Sequence, residues 1–360
     1  MKSAHDHPEL AETLRRRRFL GVAAGATAAT LLGTATATAT ENTATGNTAS
    51  GKAAAENTTA AQRGRGGPLV PRGHLGIQLY TLRDQVQSIG FARVFQELAR
   101  YGYDQVEFAG YTQGSAGAIT LGQLKRLMRD HGLRGIGSHV GYYSDDPKAY
   151  TFATNLTQVL DDAEALGLPN VGTASGPWRY GTTVDGWKRC AEEFNTYGAA
   201  AKARGLKFYQ HNHAEEFSFA TDRPDVRLYD VLLAETDPEL VHLEMDIYWA
   251  YVAQYRFGRK ADGSPAPFEP LDYVVRAPHR YPLFHVKDGE HDETVPDGYR
   301  MVDVGDGDID YRRFLTAVGR THGGRRDHHW MVEHDQPADS LTTARRSARY
   351  LRSLRCGGRG

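Results

Sequence analysis

Four short stretches in the second half of the chain carry polar side chains directly after apolar, strand-like runs. They are residues 210–213, 244–246, 285–287 and 333–335. Successive stretches lie roughly 35–50 residues apart, about one βα unit. In a barrel, the carboxyl ends of successive parallel strands meet at one end. Because two carboxylates with one or two imidazoles suit a hard-to-borderline divalent cation, the pattern predicts a metal-dependent enzyme.

Residues two apart on a strand share a face, so at least one member of each pair in these stretches can point into a barrel. A single Asp or Glu at a strand end is more often a helix cap, and a single His is more often a hydrogen-bonded core residue. Four consecutive strand ends with such residues favour a shared site instead. The pairs are His211 and His213, Glu244 and Asp246, His285 and Lys287, and Glu333 and Asp335.

From residue 75 onward, eight strand-like runs alternate with segments of helical periodicity. Eight such units over about 285 residues predict a (β/α)8 TIM barrel. The alternative, an open doubly wound sheet, would place a G-x-G-x-x-G motif after the first strand. The sequence has Tyr-Thr-Leu-Arg-Asp there instead. The predicted strands are 75–80, 104–108, 132–139, 169–173, 206–211, 241–246, 281–285 and 329–333.

The clearest amphipathic helix carries apolar residues at helical spacing between Trp187 and Ala201. Further helices are predicted at 150–166, 226–234, 311–321 and 340–354. Residues 251–277 have a mixed pattern with one helix between proline-containing loops. Residues 288–308 are rich in Gly and Asp and are predicted to form a loop long enough to have a function.

The first 39 residues have the parts of an export signal in order. Residues 15–18 are four arginines, residues 21–33 are mildly apolar, and residues 35–39 alternate Ala and Thr. The run from Arg16 to Leu20 also resembles the twin-arginine signal. The apolar part is too short and too weakly apolar for a stable membrane span. We therefore expect the twin-arginine machinery to export the chain, in folded form, to the cell envelope or the medium.

Residues 40–72 are rich in Ala, Thr, Asn and Gly, and few of them are large and apolar. Such a composition predicts a disordered low-complexity linker. The barrel domain is then expected to span residues 73–356. The formal net charge of −1 gives no overall field that would attract nucleic acid. The two cysteines indicate no disulfide framework.

Five stretches of the barrel resemble the xylose-isomerase-like superfamily of sugar isomerases and epimerases. They are residues 76–80, 209–217, 244–249, 285–288 and 332–334, and the resemblance extends over about residues 74–356. It implies one divalent metal ion held by Glu, Asp, His and Glu from the later strands. Asp246, His285 and Glu333 match the second, third and fourth of these ligands.

The first ligand departs from the family pattern. His211 stands before Asn212, where epimerases have a glutamate. We expect His211 to be the ligand, which makes the site less negative by one charge; His213 and Glu216 are the alternatives. The change also puts a two-glutamate epimerisation mechanism in doubt, because one of its two bases would be missing.

The chemistry expected of such a site is removal of a proton next to the carbonyl of a sugar or keto-sugar. A divalent ion, with Mn²⁺, Zn²⁺, Co²⁺ and Mg²⁺ all suitable, polarises the carbonyl. Glu333 is the expected base and Glu107, at the end of the second strand, is the alternative. Lys287 is expected to stabilise the negative charge that develops. The residues expected to contact the sugar are Gln78, Tyr80, His139, His213, Glu216 and Trp249.

Isomerisation, epimerisation, dehydration and cleavage of a keto-glycoside share this first step, so all four remain open. Export would favour a free sugar over an intracellular sugar phosphate. Hydrolysis of nucleic acid phosphodiesters is disfavoured by the near-neutral charge. A secreted carbohydrate-binding barrel without catalytic activity is the alternative from another class of protein.

Overall fold

The computed structural model of the chain describes residues 66–111, 119–174 and 176–357. In this part of the chain, eight parallel strands close into a barrel with helices between them, which confirms the predicted (β/α)8 fold. Each barrel strand pairs with the previous one along the chain, and the last pairs with the first. The barrel strands are β1 Leu75–Gln78, β2 Gln105–Phe108, β3 Arg134–Val140, β4 Asn170–Thr173, β5 Lys207–His211, β6 Val241–Asp246, β7 Leu283–Val286 and β10 His329–Val332.

The helices of the described residues pack around this barrel. They are α1 Arg83–Tyr101, α2 Leu121–Asp130, α3 Phe152–Leu166, α4 Val184–Lys202, α5 Leu228–Glu235, α6 Ile247–Arg256, α7 Pro270–Arg276, α8 Tyr311–Val318 and α9 Ser340–Ser353. On α4, Trp187 and Phe194 are fully buried, as the amphipathic pattern predicts. Over the described ranges, none of the helices has the length and apolarity needed to cross a membrane.

Two segments differ from their predicted structure. The first strand ends at Gln78, because the side chain of Gln78 accepts a hydrogen bond from the Tyr80 N–H (3.2 Å) and starts a 3-10 helix, Leu79–Leu82. Residues 288–308 are not irregular throughout, since they begin with an antiparallel hairpin of β8 Asp288–His291 and β9 Tyr299–Val302.

The packed domain begins earlier than predicted. Leu69 and Val70, near the end of the predicted 40–72 linker, are buried. The Leu69 N–H donates a hydrogen bond to the Leu354 carbonyl (3.0 Å), which fixes this segment to the end of α9. Residues 40–65 of the predicted linker and the predicted signal lie outside the described residues.

The interior of the barrel has an apolar layer with a polar layer above it. Tyr209, Leu283 and Met331 fill the lower part. Glycines on neighbouring strands make room for them: a Cβ on Gly76 would lie 2.2 Å from the Met331 sulfur. Nearer the carboxyl ends of the strands, the interior residues are acidic, basic or imidazole side chains. The apolar layer therefore closes the barrel beneath this polar site.

Candidate metal centre and active site

Four of the predicted ligands come together at the carboxyl end of the barrel. His211, Asp246, His285 and Glu333 each offer an atom that lies within 4.8 Å of the corresponding atoms of the others. All four residues are buried. They come from β5, β6 and β7 and from the residue after β10, which are adjacent in the barrel. Asp246 and His285 are register partners, so the ladder itself brings them together.

Short distances connect these four residues. The Nδ1 atom of His285 lies 2.7 Å from Oε2 of Glu333 and 3.6 Å from Oδ2 of Asp246. The Nε2 atom of His211 lies 3.3 Å from the same Asp246 oxygen. The group thus contains two carboxylates and two imidazoles.

Asp246 uses its two carboxylate oxygens differently. Oδ1 accepts the Trp249 N–H (2.9 Å) and caps the N-terminus of α6. Oδ2 faces His211, His285 and Lys287. The Asp246 N–H also donates to Oδ1 of Asn212 (3.1 Å), which ties β6 to β5. The helix cap and the site contact are therefore made by one side chain whose orientation is fixed on both sides.

Lys287 supplies positive charge to the group. Its Nζ atom lies 2.9 Å from Asp246, 2.8 Å from Glu333 and 2.7 Å from Asp335. Burial disfavours the charged form of Asp246, but Lys287 and His211 lower its pKa well below the ordinary value. Burial likewise opposes ionisation of Glu333, whose pKa Lys287 and His285 lower well below the ordinary value. Both carboxylates are therefore ionised at neutral pH.

The donor set fits a divalent cation. Burial and the neighbouring His285 lower the pKa of His211, so that its imidazole is neutral at pH 7 and has a lone pair to offer. The buried Nδ1 atom of His211 has no hydrogen-bond partner among the described residues. Ionised carboxylates with imidazoles suit several first-row metal ions and Mg²⁺. Glu244, Glu333 and Glu107 outweigh burial and raise the pKa of His285 well above its ordinary value, so this imidazole would release a proton on binding an ion. The residues present thus match the chemistry of the ion that the sequence predicted.

A second buried group lies directly beneath His285. The Nε2 atom of His285 is 2.8 Å from Oε2 of Glu107 and 3.2 Å from Oε1 of Glu244. His139 Nε2 is 2.7 Å from Glu244 and 3.4 Å from Glu107. The Tyr209 hydroxyl donates to Oε1 of Glu107. Burial and the Glu244 charge raise the pKa of Glu107, whereas the two histidines outweigh burial and lower the pKa of Glu244.

In this arrangement Glu107 does not have the surroundings expected of an alternative base. Its side chain is fully buried, and both of its oxygens contact other side chains. The prediction of Glu107 as an alternative base rests on its position at the end of the second strand. Glu107 instead lies under an imidazole, on the opposite side of His285 from Glu333.

Several residues predicted to bind the sugar lie around the four-residue group. The His139 ring is 5.1 Å from that of His211, and the His213 ring is 4.9 Å from it on another side. Trp249 is 5.8 Å from His213, and the Lys287 ammonium is 5.9 Å from the Trp249 ring. Trp249 Nε1 has no hydrogen-bond partner within the described ranges. These rings give the site an aromatic and imidazole wall.

The three other residues predicted to contact the sugar interact with other parts of the protein instead. Gln78 is buried and caps the 3-10 helix. The Tyr80 ring lies under the Arg83 guanidinium, at 4.0 Å, so one face of the ring is already covered. Glu216 is buried and accepts the His213 N–H (2.9 Å). Burial raises the pKa of Glu216 to about 8. Neither His213 nor Glu216 belongs to the group with metal-ligand geometry.

Sequence analysis paired Glu244 with Asp246 and Asp335 with Glu333, but it gave a role to only one member of each pair and did not select Tyr209. Tyr209 and Glu244 each lie two residues from a predicted ligand on the same strand, and alternation puts such residues on the same face. That signal does not reveal which side chains meet across the barrel.

A family model described as the xylose isomerase-like TIM barrel matches residues 95–354. The chain therefore belongs to the xylose isomerase-like TIM barrel family. No curated protein sequence is significantly similar to it.

Solved structures share the fold at low sequence identity. A sugar phosphate isomerase/epimerase from Parabacteroides distasonis is 22% identical, with 79% of this chain and 95% of that chain covered and a TM-score of 0.59. The IOLI protein with a bound zinc atom is 15% identical, covering 78% and 98%, with a TM-score of 0.55. A xylose isomerase-like barrel from Mycobacterium smegmatis, in complex with magnesium, is 14% identical, covering 77% and 95%, with a TM-score of 0.53.

Proposed function

We propose that this protein is a divalent-metal-dependent enzyme of the sugar isomerase/epimerase type, which removes a proton next to the carbonyl of a sugar or keto-sugar. The observation that carries the proposal is the convergence of two ionised carboxylates, two imidazoles and one buried ammonium at the carboxyl ends of the barrel strands. Similar folds that hold zinc or magnesium support it.

His211, Asp246, His285 and Glu333 would hold the metal ion. When bound, such an ion polarises the substrate carbonyl and acidifies the adjacent C–H bond. Mn²⁺, Zn²⁺, Co²⁺ and Mg²⁺ all remain candidates, because the mixed oxygen and nitrogen donor set accepts each of them.

Glu333 and Lys287 are the residues proposed to act on the substrate. Glu333 is ionised, so it can accept the proton that leaves carbon. Lys287 remains a cation, because Asp246, Asp335 and Glu333 outweigh burial and raise its pKa well above the ordinary value. Its fixed positive charge would stabilise the anion left on the substrate oxygens. His139, His213 and Trp249 would contact the sugar.

The imidazole of His211 favours chemistry with a single carboxylate base. Epimerisation with two glutamates would need a carboxylate where His211 stands. Glu216, the carboxylate among the two alternatives to His211, has one oxygen bonded to the His213 N–H and a raised pKa. One base is sufficient for isomerisation. It is also sufficient for elimination, as in a dehydratase or a keto-glycoside-cleaving lyase, which is our second candidate function.

We also propose that residues 1–39 direct export of the folded protein by the twin-arginine route, which makes a free sugar the better substrate class. The proposal rests on Arg16, Arg17, Phe19 and Leu20. Replacing Arg16 and Arg17 by Lys should leave the precursor in the cytoplasm, as measured by immunoblotting of cell fractions. Normal secretion of that double variant would contradict this route.

The central test is exchange of solvent deuterium into a panel of sugars and keto-sugars at the carbon beside the carbonyl. We expect exchange that a chelator abolishes and added metal restores. Glu333→Gln keeps the shape of the side chain but removes the base, so kcat should fall by about 10²–10⁴ at saturating metal, with a smaller change in KM. The matched control is Glu193→Gln, a carboxylate on α4 outside the site.

Two outcomes would contradict the proposal. Less than about a tenth of an equivalent of metal after loading would remove the site assignment. Metal binding without any exchange of a carbon-bound proton would favour the catalytically inactive carbohydrate-binding barrel. Among active outcomes, product analysis separates isomerisation from elimination.

A further inference from the structure

His285 presents its two ring nitrogens to two different sets of acids. Nδ1 faces Glu333 at 2.7 Å and Asp246 at 3.6 Å, on the side of the proposed metal ion. Nε2 faces Glu107 at 2.8 Å and Glu244 at 3.2 Å, on the buried side. We propose that Glu107 is a positioning residue, which accepts the Nε2–H of His285 and thereby holds Nδ1 as the metal-binding atom. The inference rests on the proposed function, because it requires a bound metal ion.

The proton count of an imidazole supports this assignment. A neutral imidazole carries one N–H, and the other nitrogen has the lone pair that binds a metal. If Nδ1 binds the ion, the hydrogen must be on Nε2, where the nearest acceptor is Glu107. A carboxylate in this place orients the ring, fixes the tautomer and makes the ligand more basic.

Glu107 is better placed for this task than Glu244. Oε1 of Glu107 accepts the Tyr209 hydroxyl, which leaves Oε2 to His285. Glu244 lies farther from Nε2 of His285, and its other oxygen contacts His139. The backbone also leaves room for the Glu107 interaction: a Cβ on Gly137 of β3 would lie 3.1 Å from the Tyr209 oxygen and 3.3 Å from Oε1 of Glu107.

A second metal ion in the lower group fits these contacts less well. Glu107, His139, Glu244 and His285 could supply four donor atoms. Such an ion would need the Nε2 lone pair of His285 while the upper ion used that of Nδ1, so the ring would have to lose both protons. A hydrogen-bonded layer of three buried side chains and the partly exposed His139 needs no such deprotonation, and it uses the Tyr209 hydroxyl as well.

The test is a titration of the metal-free protein with Co²⁺, followed by its visible absorption. Glu107→Gln retains an oxygen that can accept the Nε2–H but loses the charge, and Glu107→Leu loses the acceptor. We expect the Kd for Co²⁺ to rise about tenfold for the first and about a hundredfold for the second. Tyr209→Phe, which releases Glu107 from one side, should have an effect no larger than Glu107→Gln. Glu193→Gln is the matched control and should bind like the wild type.

The absorption spectrum at saturating Co²⁺ separates positioning from a general loss of stability. A change in ligand orientation alters the ligand-field bands of Co²⁺, so Glu107→Leu should have a shifted spectrum and Glu107→Gln a spectrum nearer to wild type. If Glu107→Leu does not fold, Glu107→Gln and Tyr209→Phe decide the question.

The outcomes distinguish this inference from the function on which it rests. If the wild-type protein binds no Co²⁺, the proposed function and this inference both fail. If the wild type binds Co²⁺, and the Glu107 variants that fold bind it with the same Kd and the same spectrum, the inference alone is overturned.

Discussion

The ammonium of Lys287 lies 2.8 Å from Oε2 of Glu333, the carboxylate proposed as the base. The same ammonium contacts Asp246 and Asp335, so one buried cation forms ion pairs with three acids. Charge at this depth is stable only when it is paired. Lys287 is therefore needed both for the charge balance of the site and, in our proposal, for the stabilisation of negative charge on the substrate.

Lys287→Met should separate metal binding from catalysis. Removal of a positive charge beside Asp246 and Glu333 should leave the affinity for a divalent cation unchanged or increase it. The kcat should fall by about 10²–10³, the usual effect of losing one group that stabilises a developing anion. Isothermal titration with Mn²⁺ and deuterium-exchange kinetics measure the two effects. Lys188→Met, at an exposed pair with Glu235, is the control.

A parallel loss of metal affinity and kcat in the Lys287 variant would contradict this view. It would mean that the ammonium mainly holds the ligands in place.

Two substitutions of Asp246 separate its role as a proposed metal ligand from its role as a helix cap. Asp246→Asn keeps an oxygen that can cap α6, whereas Asp246→Ala removes the cap as well. Both variants should lose the metal ion, because both lack the charged ligand. The alanine variant should be less stable by about a further 1 kcal/mol, the typical contribution of an N-cap. Metal analysis and urea unfolding of the metal-free proteins provide the two readouts.

Equal stability of the two Asp246 variants would show that the cap contributes nothing here. Retention of a full equivalent of metal in either variant would remove Asp246 from the ligand set.

Glu216 should make the stability of the fold depend on pH. Burial raises its pKa to about 8 in the folded protein, against 4.5 as the ordinary value. The contribution of a raised pKa is fully present below pH 4.5 and is lost as the pH rises through about 8. In that window the unfolded chain has released the proton and the folded chain has kept it. The free energy of unfolding should therefore fall by about 1.4 kcal/mol per pH unit relative to a variant without this group.

Glu216→Gln is that variant, because it mimics the neutral carboxyl group and can still accept the His213 N–H. We expect the difference in stability between the variant and the wild type to grow from pH 5 to pH 8 in denaturant titrations. Parallel pH profiles of the two proteins would show that Glu216 is ionised in the fold at neutral pH.

Residues 66–72, which precede β1, should contribute more to the stability of the fold than their composition indicates. A chain that begins at Gly66 should melt within about 2 °C of the full-length protein, since it retains Leu69 and Val70. A chain that begins at Arg72 loses both buried side chains, at about 1.5–3 kcal/mol each, and should melt several degrees lower. Differential scanning calorimetry of the two chains measures this. Identical melting would mean that the Leu69 contact with α9 has no energetic value.

The sequence was sufficient to predict the eight strands and the face on which the proposed ligands lie, because both follow from local periodicity. It was not sufficient for the lower layer. Glu107 and His285 are on β2 and β7, which are not neighbours in the sheet, and their contact exists only when the barrel is closed. The early end of β1 at Gln78 was also missed, since a side-chain cap rather than an apolar pattern determines it.

The last barrel strand has two structural tasks, since β10 pairs with β1 to close the barrel and leads directly into Glu333. A ribosome makes this strand after all the others. The nascent chain therefore has His211, Asp246 and His285 available while its sheet still has two open edges. The proposed set of four metal ligands is therefore complete only after this strand has emerged and docked. If the proposed ion binds and the proposed export occurs, maturation would be a late, single event, in which barrel closure completes the ligand set before the protein crosses a membrane.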